Sequence, residues 1–181
     1  YQPAGYWEES GTQHVYQQGT GEGLFRRSLY TFWRRTMPPP NMQVFDAPSR
    51  EFCVSRRSRT SNPLQALTLL NDPLFVESAC LAAERLVAHY PGNDPASDTG
   101  RCRDAFQSMT GREATPEETE LLVKLLADTR IHWESHPGEA EALRDQAGDA
   151  PVNSRLSSVE VAATAIVIRT LFSYDEVTHK L

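Results

Sequence analysis

The chain has 181 residues, 39% hydrophobic and 23% charged, with a formal net charge of -6. That size fits one domain able to bury a core, and the composition excludes collagen, coiled coil and wholesale disorder. No apolar run nears the roughly 18 residues of a membrane span, and an acidic chain lacks the basic footprint of a nucleic-acid binder, so neither partner is expected.

The distribution of charge matters more than its net. Residues 1–23 hold three acids and no base, and residues 24–62 hold eight arginines against Asp46 and Glu51. Residues 63–181 hold ten bases against nineteen acids. Arginine is the better bidentate partner for carboxylate, phosphate or sulfate. The early cluster therefore reads as an anion site or as a clamp on acids of the same chain, and structural ion pairing is the commoner use. The opening Tyr1-Gln2-Pro3 has neither an initiator Met nor a signal-peptide pattern, so a fragment of a longer polypeptide is expected.

Residues 1–60 do not read as regular structure. Gly and Gln dominate residues 10–23, and Leu24 to Arg35 suits a helix or a strand equally. Pro38-Pro39-Pro40 predicts an extended segment, and Phe45-Asp46-Ala47-Pro48 a turn. The many aromatics, Tyr6, Trp7, Tyr16, Phe32 and Trp33 among them, predict an ordered wrap rather than a free linker.

From residue 61 the pattern is helical. Asn62, Pro63 and Gln65 spell a capping box for a helix ending near Asn71, and Asp72-Pro73 starts a second that runs to about His89. Residues 90–98 read as a loop. Cys102, Ala105, Phe106 and Met109 then form the stripe of a third helix stopped by Gly111. Thr115-Pro116-Glu117-Glu118 is the strongest start signal, for a helix ending before Pro137. Residues 138–148 read as an exposed helix or a mobile loop. The last helix opens at Ser157 with Glu160 as its capping partner; it is almost wholly apolar and should lie at the centre. The expected fold is mainly α: residues 61–181 a helical bundle, residues 1–60 an aromatic- and Arg-rich wrap packed on it, together one structural domain.

Chemistry-bearing motifs are sparse. His132 and His136, at i and i+4, share a helical face and make a candidate metal pair without an evident third ligand. His14, His89 and His179 are isolated. Cys53 lies near Arg50, Arg56, Arg57 and Arg59, which favours thiolate, but no base or oxyanion site accompanies it, and it reads as a cysteine packed in a turn. No nucleophile elbow, P-loop, Rossmann glycine pattern or haem-attachment motif occurs, so no catalytic residue and no cofactor is assigned to this chain. Asp175 and Glu176, just past the apolar helix, join Asp46 as expected partners of the Arg50–Arg59 cluster.

A longer signature runs through residues 26–72. It comprises Arg26-Arg27-Ser28-Leu29-Tyr30-Thr31-Phe32-Trp33-Arg34-Arg35, the three prolines, Phe45-Asp46-Ala47-Pro48-Ser49-Arg50-Glu51, Cys53 and Arg56-Arg57-Ser58-Arg59-Thr60. Pro63-Leu64-Gln65-Ala66-Leu67 and Leu70-Asn71-Asp72 complete it. With Gly5-Tyr6-Trp7-Glu8 and the closing Leu171 to Glu176, it resembles the domain of unknown function that closes large secreted cytochrome-c-type proteins of planctomycetes and related bacteria. Ser61-Asn62 and Phe172-Ser173-Tyr174 depart from the pattern usual there.

The resemblance implies a secreted, periplasmic or cell-surface setting, with haem c on an upstream domain and none here. It implies partners among upstream domains of the same polypeptide or in a protein complex. In such a setting Cys80 and Cys102, on consecutive helices, are the expected disulfide pair. The expected function is a non-catalytic scaffolding module supporting electron transfer or partner docking. The alternative is an enzyme or binding domain that grips an anionic, sulfated polysaccharide through the arginine cluster.

Overall fold

The computed structural model describes every residue except 4, 9–14, 27, 35–36, 146 and 179–181. His14, His179 and the motif residues Arg27 and Arg35 lie outside the described residues. Among those described there are eight α-helices and no strand, as the mainly-α reading expects. They are α1 (Pro40–Val44), α2 (Pro63–Asn71), α3 (Pro73–His89), α4 (Pro95–Thr110), α5 (Pro116–Ser135), α6 (Pro137–Asp145), α7 (Ser158–Phe172) and α8 (Asp175–Thr178). The first six all begin on proline, whose fixed φ and missing N–H cost nothing in a first turn.

The chain forms two compact units, Tyr1–Thr68 and Leu69–Leu181. In the first, aromatic side chains substitute for an aliphatic core. Trp7 is buried; Tyr16 stacks on it at 5.7 Å and Phe32 leans on it at 5.4 Å. The Arg34 guanidinium sits 5.3 Å from the Trp7 ring and donates to its carbonyl oxygen, while the Tyr6 hydroxyl donates to the Pro38 carbonyl. Ser28–Tyr30 is a single 3-10 turn, and among the described residues of 24–35 there is neither an α-helix nor a strand. The proline run is extended only up to Pro39, because Pro40 already opens α1.

In the second unit α7 is the central element, packed against α3, α4, α5 and α6. Val161, Ala163, Ala165 and Ile168 on it are fully buried and meet Ala79, Ala83, Cys102, Phe106 and Leu126 in one cluster. Burial of each larger aliphatic side chain contributes about 1.5–3 kcal/mol. α4 starts earlier than its apolar stripe suggests: Asp94 caps it by accepting from the amides of Ala96 and Ser97, and the loop shrinks accordingly. Residues 137–145 form a helix with a buried side, Ala140 and Arg144, and pack on α7. The Thr115–Glu118 capping box forms in full. Among the described residues no single helix is long and apolar enough to cross a membrane.

Candidate functional site

The arginine cluster occupies a loop with a fixed base. Asp46, just after α1, accepts the backbone N–H of Thr60 at 2.7 Å and its hydroxyl at 2.9 Å. The Gln65 side-chain amide donates to the Val44 carbonyl at 3.0 Å, tying the first turn of α2 to the end of α1. Asn62 and Gln65 cap each other's amides, which sets the direction in which the chain enters α2. The segment 47–59 therefore leaves and returns at one point. Its course needs left-handed backbone at two non-glycine residues, Asp46 (φ 57°) and Arg50 (φ 62°). Such conformations cost on the order of 1 kcal/mol each and persist where surrounding bonds hold them.

Every residue from Pro48 to Asn62 is exposed. The loop displays Arg50, Arg56, Arg57 and Arg59, with Phe52 69% and Val54 47% exposed between them. Arg50 stacks over the Trp33 ring at 4.7 Å. Among the described residues Arg56, Arg57 and Arg59 meet no carboxylate. The expected clamp onto buried acids is thus not made by any of the four. Asp46 is engaged by Thr60, and Glu176 by Arg112, whose Nε and Nη2 each donate to it at 2.8 Å. Asp175 opens α8. Cys53 is exposed on the same loop rather than packed in a turn.

The buried clamp lies in the helical unit. Arg130 on α5 grips both oxygens of Asp98 on α4, at 2.9 and 2.6 Å, and donates from Nε to Glu160 on α7 at 2.6 Å. Arg101, only 1% exposed, donates to the same Glu160 and to the carbonyls of Tyr90 and Gly92. Two cations and two anions close the network, with the bonds to Asp98 first among the causes that raise the Arg130 pKa. Periodicity held the clue: the α4 stripe Cys102, Ala105, Phe106 continues one turn earlier to Asp98 and Arg101. Glu160 does not complete a capping box. Ser157 accepts its amide at 3.4 Å, but its carboxylate turns to the arginines.

His132 and His136 are exposed and stack on each other at 4.7 Å, with His136 Nδ1 3.0 Å from the His132 carbonyl oxygen. Among the described residues no three His, Cys, Asp or Glu side chains converge as metal ligands. Cys80 and Cys102 are buried free thiols, so the expected bridge is absent. Both belong to the core cluster around α7, one from α3 and one from α4. A shallow cleft is lined by Glu77, Cys80, Glu84, Arg144 and Val152. Here Glu77 accepts the Ala150 amide at 2.8 Å, and its carboxyl group leaves no room for a Cβ on Gly148. Those contacts fasten the loop that precedes α7.

Fold and site together define an α-helical protein that presents a fastened, arginine-rich loop. More particularly, the chain belongs to the family described as PSD1, protein of unknown function (DUF1553), whose model matches residues 1–126. That match includes the whole arginine loop. No curated protein and no solved structure matches the chain.

Proposed function

We propose that this chain is a non-catalytic assembly module that docks through its arginine loop onto an acidic polypeptide surface. The observation that supports this most is exposure. Arg56, Arg57 and Arg59 are at the surface beside Phe52 and Val54, whereas Arg101, Arg112 and Arg130 are engaged by carboxylates. Arginine mixed with aromatic and apolar groups is the composition of protein interfaces. Fastening the loop at Asp46 and Thr60 lowers the entropy lost on docking. In the secreted haem-c-containing protein that the resemblance implies, the partner is an upstream domain or another member of a complex. The module then supports electron transfer by holding partners in place, and haem belongs to the other domain.

The test is binding of the intact chain to immobilised poly-L-glutamate and, separately, to heparin, alongside the charge-reversed variant Arg56→Glu/Arg57→Glu. The expected result is salt-sensitive binding to poly-L-glutamate that the variant loses. Binding to heparin alone would assign the loop instead to sulfated polysaccharide, and binding to neither would remove the docking role.

A further inference from the structure

The longest helix has an outer face with no role in the core. On α5, Thr119, Leu122 and Leu126 point inward and are buried. Glu117, Glu120, Leu121, Lys124, Asp128 and Ile131 are all exposed. Helical spacing places these six on one stripe, and from Leu121 to Ile131 it extends about 15 Å. Leu121 and Ile131 are 68% and 64% exposed, more than any other large apolar side chain described in the helical unit. The three acids outnumber Lys124, and among the described residues none of them is in an ion pair.

This face and the arginine loop are complementary in kind. The loop sets four arginines and one acid, Glu51, around exposed Phe52 and Val54; the helix sets acids around exposed Leu121 and Ile131. Opposite potentials around apolar centres steer encounter and fix register, while like charges at the rim exclude wrong partners. We propose that the outer face of α5 is the docking surface for the arginine loop of a second copy of this chain. This rests on reading the loop as a docking element and names its partner.

Charge reversal tests the pairing by sedimentation velocity over a wide range of concentration, at low and high salt. The intact chain should associate at low salt and dissociate as salt screens the contact. Arg56→Glu/Arg57→Glu and Glu120→Arg/Asp128→Arg should each weaken self-association by about tenfold or more. An equimolar mixture of the two variants should associate again, because each then offers the other complementary charge. One chain bearing all four changes should likewise recover. Unchanged thermal melting of each variant confirms that the surface alone has been altered. An intact chain that stays monomeric, or variants that never rescue one another, overturns the pairing. If poly-L-glutamate binding survives in that case, the loop's docking role stands and only the second copy is excluded as its partner.

Discussion

The carboxylate of Asp46 receives both the backbone N–H and the hydroxyl of Thr60, at 2.7 and 2.9 Å, and closes the arginine loop fourteen residues apart in sequence. Asp46 is also in the left-handed region, where aspartate and asparagine are enriched over most other residues. Asp46→Ala removes the acceptor and leaves that backbone less favourable. It should cost about 1 kcal/mol, since a net hydrogen bond is worth about that and the site is open to water. The clearer readout is local. Trypsin should cut after Arg56 and Arg57 several-fold faster in the variant, with Asp46→Asn intermediate. Equal cleavage rates in all three proteins would show that Thr60 does not fasten the loop.

Glu160 holds two arginines at once, so its removal leaves Arg101 and Arg130 short of charge inside the helical unit. Glu160→Gln should destabilise the chain by about 3–5 kcal/mol, the range for breaking a buried pair. Arg130→Lys should lose a large part of that, because one ammonium cannot reproduce the fork onto Asp98 and Glu160. Urea unfolding at neutral pH measures both. A Glu160→Gln midpoint equal to wild type would mean the network contributes nothing net.

The helical half was legible because its signals are local. Asn62, Asp72 and Thr115 are caps whose geometry depends on the next three residues, and all lead into helices that begin at the following proline. The apolar run Val161–Leu171 identified the central helix for the same reason: its apolar residues extend around the whole circumference. The site was harder to read. Arg101, Asp98, Arg130 and Glu160 come from three helices, and Arg101 is 59 residues from Glu160. Arginine density pointed to residues 50–59, but density reports composition, and which arginines are buried depends on tertiary pairing. Phe45-Asp46-Ala47-Pro48 announced a turn, but the contact from Thr60 to Asp46 joins residues fourteen apart and has no local signal.

The three thiols should separate by reactivity. Cys53 is exposed, whereas burial pushes Cys80 up to about 11 and Cys102 up to about 12. Thiolate is the reactive form, so neither buried cysteine offers a nucleophile near neutrality. In native chain, purified under reducing conditions, a disulfide-exchange reagent should titrate Cys53 alone and reach Cys80 and Cys102 only after denaturation. Fast native labelling at Cys80 or Cys102 would contradict their burial.

The acid side of the stability profile should report Arg112. Its guanidinium donates to both oxygens of Glu118 and both of Glu176, and stacks at 4.7 Å over the Phe106 ring. Those bonds lower the Glu118 carboxyl to about 2, with the capping-box amide of Thr115 as the next cause, and lower Glu176 as well. An unfolded glutamate titrates near about 4.3. Because the folded values are depressed, the stabilisation is complete above that value and is lost as pH falls through it towards about 2. The groups are partly open to solvent, so screening keeps the effect modest and added salt should shrink it. Arg112→Gln keeps a polar side chain but removes the charge. It should be less stable than wild type at neutral pH, and the two urea midpoints should converge as pH is lowered from about 5 to about 2. A gap that stays constant over that range would assign the loss to Arg112 packing on Phe106 rather than to its carboxylate partners.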